Sequence, residues 1–219
     1  MRHLPIDAYP NYARSERIAD GTLHALGVAF ALIGAVALIA WAVGRMPGGQ
    51  TAALTVYGAA LIATFTASAF YHMTPWTRIR PTLRRVDHAA IYLKIAGTFT
   101  PLAVMIGTGF AYGVLAVVWA MAAWGMAHKL FFWREPGRFG PALYLVMGWM
   151  AVLLLPSIAA IVPTPALVLM AVGGGLYTLG VVFFSWESLK FSNAIWHAFV
   201  LAASVCFFTG IVIGAGALA

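Results

Sequence analysis

Seven stretches of about twenty mainly apolar residues, broken only by short polar or Gly/Pro-containing segments, fix what this chain can become. A bilayer-crossing helix needs about 20 such residues. The runs are approximately Thr22–Val43, Ala52–His72, Asp87–Gly107, Gly113–Phe132, Pro141–Val162, Pro165–Ser185 and Ala194–Ala217. Composition agrees: 63% of the residues are hydrophobic and 9% charged, where soluble domains average roughly 45–50% and 25%. A soluble globular enzyme, a disordered chain and a coiled coil are all excluded by that balance. The expectation is an all-α membrane protein, a seven-transmembrane-helix bundle. Residues 1–20 read as a cytoplasmic N-terminal arm, part of it open to forming an interfacial helix, and 21–219 as the seven-helix membrane domain. The first run is too long for a signal peptide and has no small-residue cleavage site, so it reads as a span. A single cysteine, Cys206, leaves no internal disulfide and no paired-cysteine metal site.

Basic residues set the expected orientation, because cytoplasmic loops retain lysine and arginine. Arg2, Arg14 and Arg17 precede the first run; Arg78, Arg80, Arg84 and Arg85 follow the second. Lys129, Arg134 and Arg138 follow the fourth, and Lys190 the sixth. Only Arg45 falls on the other side, and Lys94 lies within the third run. The chain is therefore expected to start in the cytoplasm and end outside. The formal charge of +7 is explained by these loops and does not form a nucleic-acid-binding stripe.

Ionisable groups within a bilayer are costly and mark functional sites by default. Here they gather at the arginine-rich end. Ser68 and His72 are four apart, hence on one helical face. Asp87 and His88 open the third run, His197 lies about one turn into the seventh, His24 enters the first and His128 closes the fourth. Taken singly, His24, His88 and His128 read as headgroup-facing, Asp87 as a helix-capping carboxylate, and Ser68 as bonded to the carbonyl four residues before it. His72 and His197 resist that treatment, because an apolar setting penalises an unpartnered imidazole. Neutral imidazole suits zinc, and two or three histidines with a water form a standard catalytic arrangement. An HxxxH pair on one helix would have been a stronger signal; the position four before His197 is Asn193.

These residues carry a resemblance. The segments Glu16-Arg17-Ile18-Ala19-Asp20-Gly21-Thr22-Leu23-His24, Ser68-Ala69-Phe70-Tyr71-His72, Arg85-Val86-Asp87-His88-Ala89-Ala90-Ile91-Tyr92, Ile95-Ala96-Gly97-Thr98-Phe99-Thr100-Pro101 and Trp196-His197-Ala198-Phe199-Val200-Leu201-Ala202 resemble the hemolysin III family. Those bacterial membrane proteins are related to the progestin and adiponectin receptors. The resemblance covers essentially the whole chain. It implies a seven-helix bundle in the bacterial inner membrane with the N-terminus inside. It also implies a membrane-embedded zinc hydrolase, with serine and histidine on the second span, aspartate on the third and HxxxH on the seventh.

Carried over, Ser68 and Asp87 are the catalytic candidates and His72 and His197 the metal ligands. Asn193, a weak donor for zinc, stands where the first histidine of the last motif is expected. A further histidine of span seven is replaced at Cys206 or Phe207, and Lys94 occupies an expected aliphatic position. Lys94 is seven residues from Asp87, and a charge pair between them is an alternative to a metal. His24 or His88 would serve as third ligand if the bundle brought either close enough.

The leading functional expectation is hydrolysis of an ester- or amide-linked acyl chain of a membrane lipid, at the cytoplasmic leaflet, with zinc as cofactor. A non-enzymatic membrane-homeostasis regulator or receptor-like sensor with a degenerate metal site is the alternative. A hemolysin-type pore fits less well, since polar groups gather at one end instead of running through the bundle. Gly173-Gly174-Gly175 on the sixth run permits close helix approach, within the bundle or to a second copy.

Overall fold

The computed structural model describes residues 12–132, 139–186 and 188–219. Among these residues secondary structure is entirely helical. The elements are α1 (Arg14–Ala42), α2 (Gly48–Met73), α3 (Arg80–Ile106), α4 (Gly109–Ala127) with a π-helical turn at His128–Phe132, α5 (Phe139–Trp149), a 3-10 segment at Met150–Leu154, α6 (Leu155–Ala159), α7 (Thr164–Phe184) and α8 (Ser192–Gly216). Among the described residues seven helical stretches are long and apolar enough to cross a membrane, the fifth being Pro141–Ala159. Arg2, Arg134 and Arg138, counted in the charge balance, lie outside the described residues.

The largest departure from the sequence expectation is at the first helix. It begins at Arg14, inside the segment read as an arm. Its 29 residues extend about 43 Å at 1.5 Å per residue, well beyond a hydrocarbon core of about 30 Å. The extra turns are closed by Glu16, whose carboxylate accepts from the backbone N–H of Ala13 at 2.9 Å. Asp20, the last residue of the supposed arm, is consequently buried within the bundle.

Other boundaries follow local chemistry. Pro81 stands in the first turn of α3, where its missing N–H is harmless. The same helix ends at Gly107 in the left-handed conformation (φ 69°), a region open to glycine without a side-chain clash. Thr108 then caps α4 by accepting from Ala111 N at 3.3 Å. Before α8 the left-handed position is held by a non-glycine residue, Phe191 (φ 63°). Its N–H donates to the other Glu16 carboxylate oxygen at 2.9 Å, so α1 fixes the start of α8.

Each of α1 to α4 packs on its neighbour, α7 packs on α8, and α8 returns to α1. Away from the arginine-rich end the interior is mainly apolar, with Leu38, Leu54, Tyr57, Leu102 and Ile211 in one cluster. A second cluster joins α3 and α4 to the fifth span through Tyr92, Phe99, Val118 and Met147. The fifth span makes only limited contact with α7, and space remains between them.

Candidate metal centre

Three helices deliver pairs of side chains spaced four residues apart to one end of the bundle. They are Asp20 and His24 on α1, Ser68 and His72 on α2, and Asn193 and His197 on α8; α3 adds Asp87 and His88. Four-residue spacing places both members on one face. Glycine at helix contacts permits the approach: a Cβ at Gly97 of α3 would stand 2.5 Å from that of Ala60 on α2.

The three imidazoles converge. Ring centroids are 4.2 Å apart for His24 and His197, 4.6 Å for His72 and His197, and 5.1 Å for His24 and His72. One nitrogen from each can be chosen so that all three lie within 4.8 Å of one another. Asp20 organises them. Its carboxylate accepts from His197 Nδ1 at 2.6 Å and from the Asn193 amide nitrogen at 3.3 Å. Its main-chain carbonyl accepts from His24 Nδ1 at 2.8 Å. With both Nδ1 atoms acting as donors, His24 and His197 keep their Nε2 lone pairs for a ligand. A carboxylate or carbonyl on the far nitrogen is also what orients metal-binding histidines.

His72 is held differently. The Asn193 amide nitrogen, a donor only, also contacts His72 Nδ1, at 3.0 Å. Turning that amide over would set its oxygen against the Asp20 carboxylate, so Asp20 fixes the amide with its nitrogen towards both neighbours. Nδ1 of His72 therefore accepts, and its Nε2 lies 3.8 Å from an Asp87 carboxylate oxygen. The same Asp87 oxygen is 3.5 Å from His88 Nδ1, and His88 Nδ1 is 2.9 Å from the Arg84 carbonyl.

The donor set fits a divalent transition metal. His24 and His197, oriented through Nδ1, offer free Nε2 atoms beside a carboxylate in a largely buried place, and His72 joins them as third donor once the Asn193 N–H leaves its Nδ1. Zinc–nitrogen distances near 2.0–2.1 Å put tetrahedral ligands roughly 3.4 Å apart. A small inward closure of the widest separation would accommodate such an ion.

The bundle brings together Ser68, His72, Asp87, Asn193 and His197, and two residues come out differently from the sequence reading. His24 is not headgroup-facing: it is buried in the cluster at 4% exposure and takes the third-histidine place. Asp20 was not a candidate at all. Its signal was the Asp20/His24 spacing, hidden by assigning Asp20 to the arm. Three local expectations also change. Ser68 is joined to His24 Nε2 at 3.3 Å. Asn193 presents its nitrogen to its neighbours, not its oxygen. Lys94 does not pair with Asp87: its ammonium donates to Ser204 on α8 at 2.6 Å. His128 lies away from the cluster, with its ring 5.8 Å from that of Trp124.

A cavity of about 590 Å³ leads from the cluster into the bundle. Asp20, His24, His72, Asp87 and His197 line one end, and Phe99, Leu102, Met170 and Phe207 line deeper walls. That volume falls within the range of small-molecule sites, roughly 300–1,000 Å³.

Comparison with known proteins shows the family. The family described as "Haemolysin-III related" matches residues 12–208. The chain belongs to the hemolysin III family. It is 32% identical over 195 residues to the Hemolysin-3 homolog of Bacillus subtilis (strain 168), covering 88% of this chain and 91% of that protein. Hemolysin-3 of Bacillus cereus is 32% identical over 194 residues, covering 88% and 89%. The human Monocyte to macrophage differentiation factor is 32% identical over 158 residues, covering 68% of this chain and 64% of that protein. This hemolysin III family member is thus a multi-pass membrane protein with a His/Asp cluster able to hold a metal ion.

Proposed function

We propose that this hemolysin III family protein is a zinc-dependent hydrolase that cleaves an ester- or amide-linked acyl chain from a membrane lipid. One observation carries the reading: three imidazoles meet at the end of a long apolar cavity, where an acyl chain can lie with its carbonyl beside them. The positive-inside balance of the loops supports placing that end at the cytoplasmic leaflet of a bacterial inner membrane.

His24, His72 and His197 would hold the ion, with Asp20 orienting His24 and His197. Zinc there would polarise the acyl carbonyl and acidify a water molecule. The chain's own groups do the rest. Asp87, beside His72, takes the proton as the water oxygen bonds to the acyl carbon, and returns it to the departing oxygen or nitrogen. Ser68 Oγ, 3.3 Å from His24 Nε2, would donate to the carbonyl oxygen. Deeper in the bundle, the apolar walls exclude water from the chain.

The test uses purified protein in nanodiscs containing acyl-labelled bilayer lipids, with zinc measured by elemental analysis. One zinc per chain and released labelled fatty acid are expected, with both lost in His197→Ala. Zinc-loaded protein that leaves every lipid intact would overturn the hydrolase reading. Bound zinc without turnover would instead favour the sensor reading, which the Asn193 contact to His72 Nδ1 supports by occupying a potential ligand nitrogen.

A further inference from the structure

Lys94 is a buried charged side chain that the metal centre does not use. It lies on α3, seven residues beyond Asp87 and therefore about 10 Å deeper at 1.5 Å per residue. It is 7% exposed and lines the same cavity. Its partners can be followed atom by atom. Ser204 Oγ donates its single proton to the Val200 carbonyl. The Ser204 oxygen therefore accepts both from Lys94 Nζ at 2.6 Å and from the Tyr177 hydroxyl at 2.9 Å. One of the three ammonium donors is satisfied in this way. Around the rest are ring faces, with the centroids of Phe65 and Tyr177 at 4.8 and 5.0 Å. Among the described residues no carboxylate lies within ion-pair distance of Nζ. Asp20 and Asp87 are engaged by the histidines, and Glu16 by the backbone of Ala13 and Phe191.

A cation in the bilayer interior needs a counter-charge or a polar partner set, and here the open side of the ammonium is an apolar cavity. We propose that Lys94, with Ser204 and Tyr177 behind it, forms a subsite for the carboxylate of a long-chain fatty acid whose tail occupies the cavity. One ammonium balances one carboxylate. A phosphate monoester brings more charge than Lys94 neutralises. A phosphodiester would carry its polar headgroup in among Phe99, Leu102 and Phe207. Aliphatic and aromatic walls complement a hydrocarbon tail, which a small inorganic anion lacks. This subsite concerns retention, not turnover, and stands apart from the hydrolase reading.

Radiolabelled palmitate binding to the full-length protein in phosphatidylcholine nanodiscs tests it. Saturation near one palmitate per chain is expected. Competition should come from unlabelled palmitate but not from acetate or methyl palmitate, each of which lacks half of the recognised structure. Lys94→Met, close in length and uncharged, should weaken binding at least about tenfold, the scale of one lost hydrogen bond to a charged group. Ser204→Ala should weaken it in the same direction, and metal chelation should leave it unchanged. Equal binding by a folded Lys94→Met protein, competition by methyl palmitate, or loss on chelation would each overturn the proposal. The competition arms use unsubstituted protein, so they decide the matter even if Lys94→Met does not fold.

Discussion

Asp20 holds the candidate metal centre together more than any histidine does, since it contacts His24, Asn193 and His197 at once. Removing its carboxylate leaves the His197 Nδ1–H buried without a partner and lets that ring turn. Asp20→Ala is therefore expected to lower zinc affinity by about 10–100-fold, the usual effect of losing a group that orients a ligand. Competition against a chromophoric chelator measures it. Asn193→His moves the other way. It replaces an amide that occupies His72 Nδ1 with an imidazole able to ligate, and zinc affinity should rise by at least about tenfold, the equivalent of about 1.4 kcal/mol. Unchanged affinity would show that residue 193 does not face the ion. The residue-level signals were unequal in the sequence. His72 and His197 stood out because each sits in an apolar run. Asp20 and His24 sit near the N-terminus, where polarity has an ordinary explanation and the helix start was misplaced by two turns.

Element boundaries were the most legible part of the fold, since every span appears as a long apolar run and most turns carry Gly or Pro. Hydrophobicity alone could not say which face of each helix meets its neighbours, because lipid and protein interior are equally apolar. Gly173-Gly174-Gly175 illustrates this. The triplet suggested one close helix contact, yet only Gly173 makes it: a Cβ there would stand 2.8 Å from the Phe207 ring on α8, while those of Gly174 and Gly175 would meet nothing within 4 Å. Arg80 makes a similar point. Counted as a loop charge, it is 3% exposed and donates to the carbonyls of Tyr71 and Thr74 at 3.0 Å each, closing the end of α2 next to His72. The α2–α3 contact is the one on which the site depends, because it sets His72 against Asp87. Gly97→Val forces its side chain against Ala60 and is expected to destabilise the protein by about 1–3 kcal/mol, as overpacking does. Zinc affinity should fall in the same variant. Thermal unfolding in detergent, read beside the chelator titration, separates this from a local effect: Gly97→Val must lower both.

At the scale of the whole molecule, a polar cluster at one end opens into an apolar cavity between α3, the fifth span, α7 and α8. Length and composition make a seven-helix bundle foreseeable, but not this interior space, which arises because the fifth span makes little contact with α7. The cavity ties the two proposed sites to one ligand class, and its length should therefore set chain-length preference. Gly175 provides the test. It lines the cavity, and a side chain built there has open space, so a bulky residue can enter without disturbing the helices that hold the histidines. Gly175→Phe should leave zinc affinity and the unfolding temperature close to those of the parent while weakening palmitate binding by about tenfold or more, because a ring occupying the cavity removes apolar contacts worth about 0.8 kcal/mol per buried methylene. Octanoate, with less tail to accommodate, should lose much less. A chain-length-independent loss would mean that the substitution had altered the site itself, and an unchanged palmitate affinity would mean that the tail lies elsewhere in the bundle.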